Sequence, residues 1–321
     1  MIPNNTSSKS HLPTDWFEGL VSPRTSQNLF LSKNSLVAKN TGEKFEVIEG
    51  IAKLLVPEFK DESFANELNA MEALPVYGVS YFKQEFLHSI SQELFGLSRE
   101  SESLSFRMVE LGGGDGQFAR HFLAFDQSRV FIADIGESFL KLAPDQIRKV
   151  CCDARFPCFE NNTIDLAVFW VSFHHFSEKD QKKALEVAVA SLKPNGMLVF
   201  FEPNSFFFPR HIMLNTFLRE HVYFDDEEKP ISYLDVRKYM EKMGMEEVCT
   251  RFIQPPYALE FLKKLKFWIL YYVVVKFLYI LDRYFVYPIS KLFLGKSVKT
   301  LEKIRSFSAS YFFSVFQKKE S

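Results

Sequence analysis

The amino-acid sequence predicts a doubly wound α/β fold whose sheet is mostly parallel. The first observation is a short apolar run at residues 108–111, followed by the glycine-rich turn GGGDG and then by apolar residues at helical spacing. The second is that further apolar runs of strand length alternate with amphipathic stretches as far as residue 204. Strands joined by helical crossovers form a parallel sheet, and ligands bind at the carboxyl ends of its strands. We therefore expect a Rossmann-like domain whose site lies beside the glycine turn.

Composition sets the class of the protein and restricts its partners. The chain has 321 residues, of which 47% are hydrophobic and 25% charged, a balance typical of one globular domain with appendages. The four cysteines show no paired CxxC spacing, so we expect reduced thiols and no metal site. The net charge of −1 gives no reason to expect nucleic acid as a partner. The opening residues do not have the pattern of a signal peptide, which favours a cytoplasmic protein.

Three segments precede the central domain. Residues 1–28 are rich in Ser, Thr, Asn and Pro, and we expect them to be disordered. Residues 29–58 alternate apolar and polar side chains around an Asn-Thr-Gly turn, which predicts a small β-hairpin. Residues 59–105 have apolar side chains at helical spacing and form a helical lead-in that ends in a polar linker.

The central domain spans residues 106–256. Its apolar runs predict strands at residues 108–111, 130–133, 150–152, 164–171 and 197–201, with helices that begin at residue 138 and span residues 178–192.

Acidic residues follow two of these strands and indicate a ligand. Asp134 ends the second strand, where a carboxylate can accept hydrogen bonds from the two hydroxyls of a ribose. Asp153 follows the third strand, where it can bond the exocyclic amine of a purine. A lone aspartate at a strand end is often a helix cap, and that alternative stays open. Together with the glycine turn, the two acids favour a cofactor that contains a nucleoside.

The glycine turn argues against NAD as that cofactor. The dinucleotide fingerprint G-x-G-x-x-G/A fails when it is counted from Gly112, because the sixth residue is Gln117. Counted from Gly114 it ends on Ala119, but its second glycine, Gly116, then falls deep in the start of the helix. Glu110, directly before the turn, would repel a pyrophosphate but suits the cationic amino-acid end of S-adenosylmethionine. We therefore expect the sulfonium cofactor.

Four motifs in order resemble class I S-adenosylmethionine-dependent methyltransferases, of the group that includes the ubiquinone and menaquinone C-methylating enzymes. They are VELGGGDG at 109–116, IADIGESFLKLA at 132–143, CDARFPCFENNTIDLAVFWVSFHHF at 152–176 and LKPNGMLVFFEPN at 192–204. One departure is Asn195, which stands where that family usually has glycine. The resemblance implies the methyltransferase fold and S-adenosylmethionine as cofactor, and it says little about the acceptor.

The same resemblance assigns roles to residues of this chain. For the cofactor, it implies that the methionine end is held by Glu110, Gly112 and Gly114, the ribose by Asp134, and the adenine by Asp153 and Ala154, with Phe169 and the next two residues on the cofactor floor.

Three further residues are candidates for the chemistry. His174 and His175 follow the fourth strand, where acceptor and methyl group would meet, and a neutral imidazole there can accept a proton. The alternative is that one or both histidines cap the following helix. Glu202 is the third catalytic candidate, with a structural role as its alternative.

A second resemblance concerns the N-terminal segment. The sequence FEVIEGIAKLL at 45–55 resembles the zinc-ribbon-like segment related to Trm112 that precedes the catalytic domain in some bacterial methyltransferases. In that family two cysteine pairs bind zinc, whereas residues 29–58 contain no cysteine, so a shared fold must hold without metal. A plain hairpin extension is the alternative.

Residues 257–321 differ from the rest of the chain in charge. They contain twelve Lys or Arg against four Asp or Glu, and seventeen of them are Phe, Tyr or Trp. Residues 267–281 are apolar except for Lys276, which is shorter than the ~20 residues that a spanning helix needs. Flanking lysines and interleaved aromatics are typical of a helix that lies at a membrane surface. A buried helix pair or a homodimer interface is the alternative.

These observations predict a cytoplasmic methyltransferase that sits peripherally at the inner face of a membrane. Its acceptor is expected to be a small or lipid-linked molecule, such as a glycolipid precursor or a quinone. The alternative is a catalytically silent protein of the same fold that acts as a membrane-associated binding partner.

Overall fold

The computed structural model describes residues 12–60, 81–98, 106–125, 128–207, 231–254 and 309–320, together with the single positions 273, 277, 280 and 306. Within these residues the chain forms one sheet of eleven strands in the order β1-β2-β3-β4-β7-β6-β5-β8-β9-β11-β10. The strands are β1 Leu29–Ser32, β2 Ser35–Ala38, β3 Lys44–Ile48, β4 Ile51–Lys53, β5 Phe106–Leu111, β6 Ser128–Asp134, β7 Arg148–Cys151, β8 Ile164–Trp170, β9 Leu192–Pro203, β10 Met245–Ile253 and β11 Tyr311–Lys318.

The centre of the sheet is parallel and its two sides are antiparallel. Strands β4, β7, β6, β5, β8 and β9 run in the same direction. Strands β1 to β3 form an antiparallel meander on one side, and β11 and β10 close the other side antiparallel to β9. The carboxyl ends of the six parallel strands therefore meet at one edge. This arrangement confirms the predicted doubly wound α/β fold.

Helices cover both faces of this sheet, as the crossovers require. The described helices are α1 Tyr81–Ser98, α2 Glu137–Leu140, α3 Glu178–Ser191 and α4 Tyr233–Lys242, with short 3-10 turns at Pro57–Phe59, Ala119–Ala124 and Phe173–His175. Neighbouring side chains of a strand point to opposite faces, so Val109 packs with α3 in one core and Met108 with α1 in the other. The side chains on both faces of the central strands are consequently buried, as is usual in a parallel sheet.

The N-terminal segment is ordered over its described part, contrary to expectation. Phe17, Leu20 and Val21 are buried, and Leu20 forms a β-bridge with Phe159. The prediction of disorder for residues 1–28 is therefore wrong for residues 12–28, while residues 1–11 lie outside the described part. The reason is that a few apolar side chains within this polar stretch are buried against the sheet. The overall composition of the stretch does not reveal that burial.

The meander contains the predicted hairpin and extends the central sheet. β2 and β3 pair antiparallel on either side of the Asn-Thr-Gly turn. β4 then pairs parallel with β7, so the N-terminal segment is joined to the domain by backbone hydrogen bonds. The likeness of this segment to Trm112 stays a prediction. Of the helical lead-in at 59–105, the structure describes α1 and the turn at Pro57–Phe59, and residues 61–80 and 99–105 lie outside the described part.

The end of the chain belongs to the sheet rather than to an extension. Residues 311–318 form β11, which pairs with β9 on one side and β10 on the other. Phe312, Phe313 and Phe316 are fully buried there. The expected boundary, with the domain at 106–256 and a helical extension at 257–321, is therefore wrong for the last residues. The physical reason for this error is that aromatic residues pack in the buried interior of a sheet as well as they bind a membrane surface, so composition does not distinguish the two.

The connection between β10 and β11, residues 254–310, holds the rest of the basic aromatic-rich segment. Most of residues 257–308 lie outside the described part, apart from the four single positions. Across the described residues, no helix combines the length and the apolar character that crossing a bilayer requires.

Candidate active site

The glycine turn follows β5 at the carboxyl edge of the sheet. Gly112 has φ +68°, and a Cβ atom built there would lie 2.6 Å from the Cβ of Ser172. Its backbone N–H donates to the carbonyl of Ala133 at 2.8 Å. Glycine is needed at this position because the turn after β5 packs directly against the turn after β8. The two turns therefore form one unit.

Glu110 fastens the end of the glycine turn to the sheet. Its Oε2 accepts a hydrogen bond from the backbone N–H of Ala119 at 2.8 Å, at the start of the 3-10 turn Ala119–Ala124. The side chain is buried, and burial raises the pKa of the Glu110 carboxyl to about 8. The contact that the structure gives to Glu110 is thus within the loop, whereas the resemblance implies a contact with the methionine end of the cofactor.

Asp134 ties the glycine turn to the turn after β6. Its Oδ2 accepts the N–H of Gly114 at 2.8 Å and its Oδ1 accepts the N–H of Gly136 at 2.7 Å. Burial raises the pKa of the Asp134 carboxyl to about 6, against the lowering effect of these amides. Each carboxylate oxygen can accept a second hydrogen bond, so the two oxygens still have capacity for a diol.

Asp153 has a partner that the sequence analysis missed. Its carboxylate pairs with the Arg155 guanidinium, with Nη2 to Oδ2 at 2.7 Å and Nε to Oδ1 at 3.0 Å. Arg155 also approaches Asp180 at 3.4 Å, and all three side chains are buried. Ala154 lies between them in sequence and packs against the core. An arginine two residues after an expected ligand was the available signal for this ion pair.

Phe169 does not line an open surface. It is fully buried and packs on Phe173 and Phe200, with ring centroids at 4.9 and 5.6 Å. Its place on the cofactor floor stays a prediction, and the ring itself lies in the core. The cause is the alternation of side chains in β8, which turns Phe169 into one core and leaves the next residue, Trp170, partly exposed on the other face.

Trp170 is the centre of an aromatic stack at the carboxyl edge. Phe118 covers one of its faces at 4.1 Å and Phe201 covers the other at 4.2 Å, with interplanar angles of 9° and 10°. Tyr311 stacks in turn on Phe201 at 5.1 Å. The stack links the glycine turn, β8, β9 and β11, and it stiffens the edge where the acceptor is expected.

The chain turns sharply after Trp170. Val171 has φ +55°, which is a rare conformation for a β-branched residue, and its N–H donates to the carbonyl of Phe201 at 2.8 Å. The hydroxyl of Ser172 then donates to the carbonyl of Leu111 at 2.7 Å. Strain of this kind persists where the surrounding structure imposes it, and it occurs often at functional sites.

Glu202, at the end of the neighbouring strand β9, holds the turn after β8 in place by hydrogen bonds. Its Oε1 accepts the N–H groups of Ser172 and Phe173 at 3.0 and 2.8 Å, and its Oε2 lies 2.7 Å from Nδ1 of His174. The side chain is fully buried, and burial raises the pKa of the Glu202 carboxyl to about 8. Glu202 and His174 therefore form a buried pair that orients the imidazole.

His175 lies beside His174. The ring centroids are 4.2 Å apart, and burial, with the neighbouring imidazole, lowers the pKa of His175 to about 3. Neither histidine caps the next helix. Ser177 is the N-cap of α3, where its hydroxyl accepts the N–H of Asp180.

The sequence of the central part matches a known domain family. Residues 108–196 match the family described as "Methyltransferase domain". The chain is 30% identical over 107 residues to the ubiquinone/menaquinone biosynthesis C-methyltransferase UbiE of Teredinibacter turnerae, which covers 30% of this chain and 42% of that protein. It is also 29% identical over 122 residues to the mitochondrial arginine-hydroxylase NDUFAF5 of Mus musculus, which covers 37% of this chain and 34% of that protein. The chain thus spans less than half the length of these curated relatives.

Solved structures with a similar course of the chain include methyltransferases. One is a SAM-dependent methyltransferase from Archaeoglobus fulgidus, with a TM-score of 0.46 and 15% identity, covering 80% of this chain and all of that one. Another is the Haemonchus contortus phosphoethanolamine N-methyltransferase 2 in complex with S-adenosyl-L-methionine, with a TM-score of 0.46 and 18% identity, covering 72% of this chain and 53% of that one.

Proposed function

We propose that this chain, whose residues 108–196 form a domain of the class I S-adenosylmethionine-dependent methyltransferase type, transfers a methyl group from S-adenosylmethionine to a small or lipid-linked acceptor. The single observation that carries the proposal is the carboxylate of Asp134. This carboxylate lies at the end of β6 and accepts hydrogen bonds from the backbone amides of Gly114 and Gly136. One acidic group therefore fixes the position of the turn that would enclose the cofactor.

The residues at the carboxyl edge fit this cofactor. Gly112 and Gly114 both have positive φ and bring backbone close to the ligand, with no side chain between. Asp134 retains lone pairs for the ribose hydroxyls. Asp153 and Ala154 are proposed to bound the adenine, and because Asp153 is paired with Arg155, we infer that it acts there through that fixed pair rather than as a free carboxylate. Glu110 supports the methionine end by holding the turn in place.

His174 is the proposed proton acceptor for the acceptor's nucleophile. Bound S-adenosylmethionine supplies an activated methyl group on its sulfonium, so the protein chiefly has to orient the acceptor and receive a proton. As the pH approaches and passes the raised pKa of Glu202, about 8, the ionised carboxylate accepts the Nδ1–H of His174 and leaves Nε2 of that ring as the basic atom. His175 is the weaker candidate, because a pKa of about 3 makes its imidazole a poor base at neutral pH.

The proposed acceptor is a quinone-like ring or a glycolipid precursor. UbiE, by its name, is a C-methyltransferase of ubiquinone and menaquinone biosynthesis, which supports the quinone-like class. The aromatic stack around Trp170 gives the acceptor edge an apolar wall that suits either class. We propose peripheral contact of residues 257–308 with the inner face of a membrane, because these residues are basic and rich in aromatic side chains. A homodimer through the same residues is the competing use.

The alternative is a catalytically silent protein of this fold that binds the cofactor, or nothing, and acts as a membrane-associated partner. The match to an arginine-hydroxylase shows that relatives of this stretch are not all named as methyltransferases. One feature favours catalysis over silence. Glu110, Asp134 and Glu202 are acids in buried positions, where burying a carboxylate costs stability, so their presence there supports a functional role.

The test is methyl transfer from tritium-labelled S-adenosylmethionine to a reduced quinone, whose hydroquinone ring is nucleophilic, and to a membrane lipid extract. We expect label in the organic phase with the wild type. His174→Ala should lose turnover by roughly 10²-fold while it retains affinity for S-adenosylhomocysteine. His175→Ala is the matched control and should lose much less. A wild type that binds the cofactor and labels no acceptor would favour the silent alternative, and equal loss in both variants would remove the role of His174.

A further inference from the structure

The β10–β11 connection begins and ends at the carboxyl edge of the sheet. Ile253, the last residue of β10, pairs with Tyr311, the first residue of β11, and Tyr311 pairs with Pro203 at the end of β9. Trp170 pairs with Phe201, two residues earlier in β9. Hairpin connections usually have 2–5 residues, so the 254–310 connection is exceptional in length. Both ends of the connection, which we call its roots, lie beside the proposed acceptor site.

Buried hydrogen bonds fasten these roots to the site. The Nδ2 of Asn204 donates to the carbonyls of Ser306 and Ala309 at 2.6 and 2.9 Å, and Asn204 is fully buried. The N–H of Ser310 donates to Oε1 of Gln254 at 3.2 Å, which joins the two ends of the connection to each other. Asn204 lies two residues after Glu202, the partner of His174. The connection is therefore anchored to the end of β9, the strand whose Glu202 orients the proposed proton acceptor.

The connection has an exposed apolar stripe. Val273, Phe277 and Ile280 are helical, with exposed fractions of 61%, 61% and 44%. Their spacing of four and then three residues places them on one face of a helix. Large apolar side chains that are exposed together on one face mark a surface that meets a partner.

Charge identifies the kind of partner. In sequence the stripe is flanked by the basic residues Lys263, Lys264, Lys266, Arg283 and Lys291. Apolar residues that are flanked by lysine and arginine bind anionic lipid through both burial and attraction. A protein partner would need a surface that fits the stripe in shape and carries negative charge beside it. An anionic bilayer offers an apolar interior and negatively charged headgroups to any such stripe, and it needs no fitted shape.

From these observations we propose that the stripe Val273, Phe277 and Ile280 docks on an anionic bilayer, so that the acceptor reaches the carboxyl edge directly from the lipid phase. The docking half of the proposal stands on the stripe and its charges, and the acceptor half rests on the proposed function. The consequence is that the reaction takes place at the membrane surface. An acceptor held in vesicles should be methylated faster than the same acceptor in detergent at equal concentration.

The experiment uses the full chain and a triple variant, Val273→Asp, Phe277→Asp and Ile280→Asp. The matched control replaces three exposed apolar residues elsewhere, Phe30→Asp, Leu142→Asp and Leu234→Asp, whose exposed fractions are 48%, 54% and 56%. Sedimentation is measured with vesicles of phosphatidylcholine alone and with added phosphatidylglycerol, at low and high salt. Titration with S-adenosylhomocysteine and light scattering are measured on each protein.

We expect the wild type and the control to sediment with anionic vesicles, less so at high salt because exposed charges are screened. The triple variant should lose association by at least about tenfold, because aspartate is costly at the depth where these side chains would lie. Its affinity for S-adenosylhomocysteine should not change. A wild type that stays in the supernatant, or a triple variant that sediments like it, overturns the docking proposal. A wild-type dimer that the triple substitution converts to a monomer assigns the stripe to a second copy of the chain, and failure of all three proteins to bind S-adenosylhomocysteine counts against the proposed function alone.

Discussion

Val171 is the residue at which the backbone of the site is most constrained. Its φ of +55° costs a β-branched or other non-glycine residue about 1–2 kcal/mol. Three hydrogen bonds donated by the next two residues, Ser172 and Phe173, hold the turn in place. We expect Val171→Gly to be more stable than Val171→Ala by about 1 kcal/mol, because glycine adopts positive φ without that cost. Urea unfolding measures the difference.

Val168 provides the control for this comparison, because it lies within β8 and has no positive φ. There the order should reverse, with Val168→Ala more stable than Val168→Gly. The same order at both positions would mean that the backbone of Val171 is not strained.

Buried acids give the protein a particular pH dependence. The pKa of Glu110 is about 8 in the folded protein and near 4.5 as a free side chain, with burial as the main cause. The folded state therefore binds more protons than the unfolded state between these values, so the free energy of unfolding falls as the pH rises from about 4.5 to 8. One such group contributes a slope of up to about 1.4 kcal/mol per pH unit.

Glu110→Gln keeps an oxygen for the N–H of Ala119 and removes this titration. Urea unfolding at about pH 5.5 and about pH 7.5, in the lower and upper parts of that range, should show a shallower decline of the free energy of unfolding for the variant than for the wild type. The exposed Glu46→Gln is the control and should leave the slope unchanged. A variant that declines as steeply as the wild type would place the ionisation elsewhere.

At the scale of elements, the sequence was sufficient for the strands of the parallel core. β5, β6, β7 and β8 each contain a short run of apolar residues, and a local pattern is enough to find them. The same is true of α3 and of the hairpin. The acids at the strand ends could be located as well. The contact of Asp134 with Gly114 could not, because it depends on how two loops meet in the fold, whereas Arg155, the partner of Asp153, lies two residues away in sequence.

β11 is the element that local patterns could not assign. Its sequence YFFSVFQK is apolar and aromatic, and so is much of the segment before it. Its membership of the sheet depends on pairing with β9, which ends more than a hundred residues earlier. The sequence carries no sign of such a distant pairing, and without it the segment resembles the rest of a basic aromatic extension.

This placement makes a prediction about truncation. Removing residues 309–321 should abolish cooperative unfolding, because it removes the strand between β9 and β10 and exposes fully buried phenylalanines. Removing residues 319–321 alone is the control and should leave the transition intact. Thermal unfolding followed by circular dichroism measures both. A cooperative transition in the longer deletion would show that β11 is dispensable, and a cut before Tyr257 would then be a fair probe of the connection.

At the scale of the whole molecule, three parts converge on the carboxyl edge. The parallel strands bring the glycine turn and Asp134 to this edge, Glu202 fixes the turn that carries His174, and the β10–β11 connection is rooted next to them. The N-terminal meander lies on the far side of the sheet and adds its strand to β7. Cofactor, acceptor and membrane surface would therefore meet at one place.

The central claim is that this edge binds S-adenosylmethionine or its product, and isothermal titration calorimetry with S-adenosylhomocysteine tests it most directly. We predict micromolar-range binding and no binding of NADH. Asp134→Ala should weaken binding by about 1.5–3 kcal/mol through the loss of charge-assisted hydrogen bonds, whereas Asp145→Ala, at a fully exposed side chain, should bind as the wild type does. Binding of NADH in place of S-adenosylhomocysteine, or an unchanged affinity in Asp134→Ala, would contradict the account.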